Sequence, residues 1–401
     1  MRLLFLGLAF PLPANNGHRL RTWHLLRGLA AEGHKVTLMA FGSSAEASGA
    51  NRALLDTVCH DFEVVPLDWA QLSSTSDLLG RLRHLVAPRP YAVSRFVSAE
   101  MRSRIIARLE REPFDAALCD VFSIVNLPHA PVPVILNHEN VEHIILQRYL
   151  RKERNPARRA YAWIEYQKMR AWEAGVCARA SVGLACSEVD RSIVRDLCPG
   201  LPTVVVPNVV DPGPVATGTE EDPPTILFQG GMDWFPNRDA VRFFVAAILP
   251  EIRRHIPQVR FLVAGRNPDP DFIRFFQHVP GMAFTGTVPD MRSVIDRASV
   301  CVAPLRIGSG TRLKILEAAA ASKPTIATRI GAEGLAFEDG HDILLADEPV
   351  DFAAATVSVL RDRGRRQAIG RAARERVERS YTQAALQTAL HQGLGVLVGA
   401  R

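Results

Sequence analysis

No run in the 401-residue chain approaches the ~20 consecutive apolar residues that a spanning helix needs, which disfavours an integral membrane protein. The six cysteines, Cys59, Cys119, Cys177, Cys186, Cys198 and Cys301, include no CxxC pair and no cluster around histidine. A disulfide framework or a zinc site is therefore not indicated. Cys119, Cys186 and Cys301 fall inside apolar stretches of strand character, as reduced, buried thiols of a cytosolic protein do. Short-period repeats and low-complexity tracts are also missing. Charge is nearly balanced over most of the chain: the formal net charge is +6, and Arg148–Arg170, with eight basic residues against Glu153 and Glu165, supplies all of it.

What is present is ordinary globular composition, 47% apolar and 22% charged, at a length that predicts about two domains. Met1-Arg2 before the apolar Leu3–Phe10 has the look of a short secretory signal, but the same residues make a buried first strand that runs on through a glycine turn into an amphipathic helix. Apolar runs of strand length recur at Arg2–Ala9, Lys35–Phe41, Phe62–Leu67, Asp115–Asp120, Val132–Asn137, Val182–Cys186 and Thr203–Val206. The first crossover sets Leu20, Trp23, Leu26 and Ala30 on one helical face and closes at Gly33, a natural residue to follow a helix end. Strand, helix, strand at this spacing predicts a parallel sheet.

After Val210-Asp211-Pro212-Gly213-Pro214 comes a stretch to Pro224 rich in Pro, Gly, Thr and acids, the composition of an interdomain linker. A second series follows: strands at Thr225–Gln229, Val259–Gly265, Met282–Thr285, Ser299–Pro304, Thr325–Thr328 and Asp342–Leu345, and helices at about Asp239–His255, Asp290–Arg297 and Thr311–Ser322. Asp351–Leu397 is helical in pattern and lacks strands. The expected division is residues 1–207, a linker at 208–224, a second domain at 225–375 and a C-terminal helix at 376–401 that packs back on the first domain. Two doubly wound α/β domains bind ligands outside the C-terminal ends of their strands, here at a central cleft.

One run stands out there. A strand ends near Ala303-Pro304, the turn Gly308-Ser309-Gly310-Thr311 follows, and a helix begins whose free backbone N–H groups suit a diphosphate, with Arg312 and Lys314 adding positive charge. Glu317, two turns in, places a carboxylate within reach of two ribose hydroxyls. A helix start with ordinary capping and solvated surface charge explains the turn alone equally well.

Gly-Thr-Arg-Leu-Lys-Ile-Leu-Glu-Ala at Gly310–Ala318, followed by Lys323–Thr328 and Gly331–Leu335, resembles the donor-site region of GT-B glycosyltransferases of family 4. Val206-Pro207-Asn208-Val209-Val210-Asp211 resembles the family's Pro-Asn-Gly-Val-Asp linker motif, and Leu262–Gly265 its second-domain strand. Pro11–Arg19, Leu25–Ala30 and Gly33–Leu38 resemble its opening strand, glycine loop and first helix, so the resemblance covers nearly the whole chain.

The resemblance implies two Rossmann-like domains, a nucleoside diphosphate sugar bound mainly to the second and a saccharide or lipid-linked acceptor bound mainly to the first. It implies transfer with retention, without a metal or other cofactor, of the kind associated with exopolysaccharide biosynthesis. Glu317 then closes the family's E-x7-E motif and holds the ribose, while the first carboxylate of that motif is replaced by Ser309. The family's diphosphate-gripping Arg falls on Met232, and its Lys falls near Asn237 or Arg238. Backbone at Gly308–Thr311 with Arg312 and Lys314 is the expected substitute. His138 matches the family's histidine at the transferred sugar, Gly17 lets backbone approach the donor phosphate or the acceptor, and Arg266 and Val288 lie at strand ends near the expected nucleobase.

Asp269-Pro270-Asp271 matches the metal motif of a different glycosyltransferase fold, but ahead of Phe272–Phe276 Asp271 reads as a helix N-cap. Tyr149–Arg170 interleaves Tyr149, Tyr161, Trp163 and Tyr166 with its cations, which suits an anionic membrane surface as well as an exposed helix packing its aromatics inward. The expected place is the cytoplasm or the inner face of the plasma membrane. A nucleotide-sugar epimerase on the same fold and a noncatalytic nucleotide- or saccharide-binding scaffold remain alternatives. A nucleic-acid partner is not expected, because the aromatic motifs of RNA-binding modules are absent.

Overall fold

The computed structural model describes residues 1–67, 80, 84–128, 131–215, 222–266 and 268–399; residues 216–221 of the expected linker and the last two of the expected C-terminal helix lie outside that set. The chain separates into two compact units, Met1–Asn208 with Gln383–Arg401, and Val209–Thr382.

The first unit is built on seven parallel strands: β1 (Arg2–Gly7), β2 (Lys35–Phe41), β3 (Asp61–Val65), β4 (Ala116–Asp120), β5 (Val134–His138), β6 (Val182–Ala185) and β7 (Thr203–Val205). Their order is β3-β2-β1-β4-β5-β6-β7. Helices cover both faces of such a sheet, so its central strands are apolar throughout, and Leu3, Leu4, Phe5 and Leu6 are all buried. The helix Gly17–Ala31 starts at Asn16, whose side chain accepts from the Arg19 N–H at 2.9 Å, and closes at Gly33, whose φ of +76° favours glycine. The final helix, Gln383–Gly399, lies against it. Gln383 holds both the His24 ring and the His24 carbonyl, and a Cβ at Gly28 would stand 2.6 Å from Leu386 Cδ2.

The second unit has six parallel strands: β8 (Thr225–Gln229), β9 (Arg260–Ala264), β10 (Met282–Gly286), β11 (Val300–Ala303), β12 (Thr325–Ala327) and β13 (Leu344–Leu345), in the order β10-β9-β8-β11-β12-β13. Its core gathers Phe228, Phe244, Phe261 and Phe352. In each sheet the winding reverses once, between β1 and β4 and between β8 and β11. Those two points are where doubly wound sheets open a crevice for ligands.

Several elements differ from the sequence expectation for physical reasons. The helix expected at Asp239–His255 begins earlier, at Phe235, and runs as Phe235–Phe243 and Leu249–His255 around a wide π-helical turn at Phe244–Ile248. Pro250 has no N–H to continue the ladder there. The helix expected from Thr311 begins at Leu313, because Gly310 takes φ +73° and Arg312 is extended. The cap of the helix Pro270–Phe276 is Asp269, which accepts from the Asp271 N–H; Asp271 lies in the first turn and pairs with Arg274. All six cysteines are free thiols.

Candidate functional site

At the reversal point of the second unit, the last residue of β8 and the helix Leu313–Ala320 are tied together. Gln229 Nε2 donates to Glu317 Oε2 at 2.8 Å and to the Lys314 carbonyl at 3.0 Å. Lys314 Nζ donates to Asn237 Oδ1 at 2.8 Å and stands 4.2 Å from the centre of the Phe228 ring. Asn237 Nδ2 closes the circuit on the Gly231 carbonyl at 2.9 Å. Burial pushes Glu317 up to about 7, against the pull of Lys314 and Gln229. Burial, with Arg312 nearby, brings Lys314 down to about 7. A carboxylate and an amine both poised near neutrality belong to a ligand site more often than to a solvated helix face.

The loop after β8 passes close to both cations. Gly230 takes φ +150°, and a Cβ on it would lie 2.7 Å from Asn237 Nδ2 and 3.0 Å from Lys314 Nζ. Arg266 flanks Gly231 from the end of β9, pairs with Asp233 at 3.2 Å and leaves its Nε enclosed without a hydrogen-bond partner. Met232, at the position where the resemblance expects Arg, is 1% exposed and packs in the apolar core. Asn237 holds Lys314, whereas Arg238 turns away to Asp269 and the Phe272 ring. Charge at this loop therefore comes from Lys314 and Arg266.

The Gly308–Thr311 turn lies between β11 and the helix. Arg312 folds back over it and donates to the Ser309 and Gly310 carbonyls, and the Ser309 side chain is buried. Val288 is half-buried against the cluster of Leu227, Ala264, Val294 and Ile295. The structure thus brings Gly308, Ser309, Gly310, Thr311, Arg312, Lys314 and Glu317 to one loop–helix junction, with Arg266 beside the Gly230-Gly231 loop. Sequence reasoning missed Gln229 and Phe228, and it named Asn237 only as a position near which the family's Lys falls, not as the anchor of Lys314; each acts on a residue at least 77 positions away.

His138 and Gly17 belong to the first unit. Gly17 is the exposed first residue of its helix. The His138 ring is 1% exposed, its Nε2 lies 3.8 Å from Cys177 Sγ and its Nδ1 is enclosed without a hydrogen-bond partner. Burial, with Arg21 nearby, drives it down to about 4, so it is neutral at physiological pH. A buried relay runs beside it: Arg21 donates to Asn137 Oδ1, and Asn137 Nδ2 donates to Asp120 Oδ1 at 2.8 Å. The basic segment forms the helices Glu142–Lys152 and Pro156–Cys177, which pack on each other. The buried Glu173 carboxylate caps the first of them by accepting the Glu142 and His143 N–H groups. Trp163 is 55% exposed beside a shallow recess formed by Leu150, Pro156, Arg159, Ala160 and Ile164. Among the described residues no helix is long and apolar enough to cross a membrane.

Residues 223–362, wholly inside the second unit, match the model of a family described as glycosyl transferases group 1. The chain carries a group 1 glycosyltransferase domain. Solved structures agree on the fold across the whole chain. Sucrose-phosphate synthase from Thermosynechococcus elongatus superposes with a TM-score of 0.73 at 16% identity over 100% of both chains. HepE of Anabaena in complex with UDP gives 0.63 at 14% identity, covering 98% of this chain and 100% of the other. WaaG, a glycosyltransferase involved in lipopolysaccharide biosynthesis, gives 0.63 at 13% identity over 98% and 100%. No curated protein matches the chain in sequence. The architecture is GT-B, and the junction of β8, β11 and the helix Leu313–Ala320 lies within its group 1 domain.

Proposed function

We propose that the protein transfers a sugar from a nucleoside diphosphate sugar to a saccharide or lipid-linked acceptor, with retention and without a metal on the diphosphate. The observation that supports it most is the Glu317–Gln229 and Lys314–Asn237 pairing at the reversal point of the group 1 domain. Glu317 takes the ribose hydroxyls. Lys314, Arg266 and the free N–H groups at Leu313 and Lys314 take the diphosphate, and Val288 lies under the base. Charge grows on the diphosphate as the glycosidic bond breaks, and each preorganised donor aimed at such charge is worth roughly 2.7–4 kcal/mol.

His138 serves the transferred sugar in this reading through its enclosed Nδ1, which requires the residues covering the ring to move when substrate arrives. The acceptor is a growing exported polysaccharide, and the exposed Trp163 with the surrounding arginines docks the chain on an anionic membrane surface. The test is a screen of nucleotide sugars for binding and for nucleotide release with and without saccharide acceptors, wild type against Glu317→Gln. Donor binding that the substitution leaves untouched removes the ribose assignment; conversion of the donor into a different nucleotide sugar without any acceptor and without net nucleotide release identifies an epimerase instead.

A further inference from the structure

The first unit has its own reversal point, between β1 and β4, and three side chains meet there. His18 comes from the first turn of the helix Gly17–Ala31, Asp120 ends β4, and Glu139 follows β5. His18 Nδ1 lies 2.6 Å from Glu139 Oε2, and His18 Nε2 lies 3.6 Å from Asp120 Oδ2. The Asp120 carboxylate is almost fully buried and immobilised, accepting from the Leu8 N–H at 2.9 Å and from Asn137 Nδ2 at 2.8 Å. Among the described residues it is the one group of three or more His, Cys, Asp and Glu side chains whose donor atoms all lie within 4.8 Å of one another.

Two atoms of this group are enclosed from solvent without a hydrogen-bond partner, His18 Nε2 and Glu139 Oε1. The 3.6 Å between Nε2 and Asp120 Oδ2 is too long for a hydrogen bond. It is close to the spacing of two ligands that share one ion at about 2.1 Å each. Glu139 holds the opposite ring nitrogen, which is how a carboxylate orients a metal-binding imidazole and fixes its tautomer.

We propose that His18, Asp120 and Glu139 form a divalent-cation site, with His18 Nε2 and Asp120 Oδ2 as ligands, Glu139 orienting the ring, and water or a hydroxyl-bearing ligand in the remaining positions. One imidazole with carboxylate oxygen suits Mn²⁺, Co²⁺ or Zn²⁺ better than Ca²⁺. All three residues belong to the first unit, and the inference does not depend on the sugar-transfer reading.

The test titrates the full chain with Mn²⁺, in the absence of any nucleotide sugar, and reads free Mn²⁺ by electron paramagnetic resonance. Wild type is compared with His18→Ala, Asp120→Asn and Glu139→Gln, and with Asp269→Asn in the second unit as control. One ion per chain is expected for wild type and the control, with ~10- to 100-fold weaker binding in Glu139→Gln, the loss typical of an orienting partner. His18→Ala and Asp120→Asn abolish binding if they fold by circular dichroism; if they do not, Glu139→Gln alone decides. No Mn²⁺ bound by wild type up to about 1 mM, the weak end of oxygen-rich cation sites, overturns the proposal. So does Mn²⁺ binding unchanged in every folded variant.

Discussion

Lys314 Nζ is held between the Asn237 carboxamide, at 2.8 Å, and the face of the Phe228 ring, at 4.2 Å. Asn237 is anchored in turn on the Gly231 carbonyl, so the amine is fixed over the glycine loop that follows β8. A charge-assisted hydrogen bond from a positioned amine contributes about 1.5–3 kcal/mol. With UDP and uridine as probe ligands, the proposed placement of the amine at the diphosphate predicts that Lys314→Met weakens UDP binding about 10- to 150-fold and uridine binding little. On the proposed ribose contact, Glu317→Gln is expected to weaken both ligands alike. Calorimetric titration of both ligands checks this, and equal losses for UDP and uridine in Lys314→Met would contradict the placement of the amine at the diphosphate.

The same two residues predict a pH profile. Glu317 is raised to about 7, so its ionised, hydroxyl-accepting form fills as pH rises. Lys314 is lowered to about 7, so its cation is lost over the same range. Donor affinity should peak near neutrality and fall on both sides by no more than about tenfold per pH unit on either limb. A nucleoside diphosphate sugar is the right probe, since its diphosphate does not titrate there. Glu317→Gln should flatten the acid limb and Lys314→Met the alkaline limb. A monotonic wild-type profile from pH 5.5 to 8.5 would count against both assignments.

His138 carries a stability prediction independent of catalysis. Its folded value of about 4 lies below the usual 6.5, so the neutral ring adds stability above pH 6.5 that is lost as pH falls toward 4. Between pH 7 and pH 5 the loss attributable to this residue is about 2 kcal/mol, at about 1.4 kcal/mol per unit of the protonation difference. Urea unfolding of wild type and His138→Gln at both pH values isolates it: the variant should lose less stability on acidification. Equal losses would mean the ring opens to solvent in the folded chain. If His138 also serves the transferred sugar, its replacement lowers turnover more than donor affinity.

Much of the fold is legible because strands buried on both faces must be continuously apolar. Lys35–Phe41 and Thr225–Gln229 emerge residue for residue. Expected ends drift where side chains compete with the ladder: β13 shrinks to Leu344–Leu345 because Asp342 turns inward to Arg376 and to the Glu338 N–H. The glycine turn at Gly308–Gly310 announces itself by composition, since only glycine is at ease at φ +73°. What sequence cannot announce is Gln229 reaching Glu317, or His18 meeting Asp120 and Glu139. Those contacts exist only once crossovers place distant strand ends side by side, and single Gln, Asn or His residues after a strand look alike until then.

Met232 tests where the positive charge of the donor site originates. The resemblance places Arg at this position, and restoring it would be the natural way to strengthen donor binding if its side chain faced the ligand. Met232 is 1% exposed among Phe228, Val241 and Val263, and its N–H is bonded to the Arg266 carbonyl at 3.0 Å. An arginine there buries a guanidinium with no carboxylate in that cluster to receive it, at a cost of several kcal/mol. Met232→Arg is expected to lower the unfolding midpoint sharply and to leave UDP affinity no better than wild type, whereas Met232→Leu is expected to be nearly neutral in both. Thermal unfolding and UDP titration decide the matter. A stable Met232→Arg protein that binds UDP more tightly would show that the loop after β8 can turn this side chain outward, and would remove Lys314 and Arg266 from their role as its substitutes.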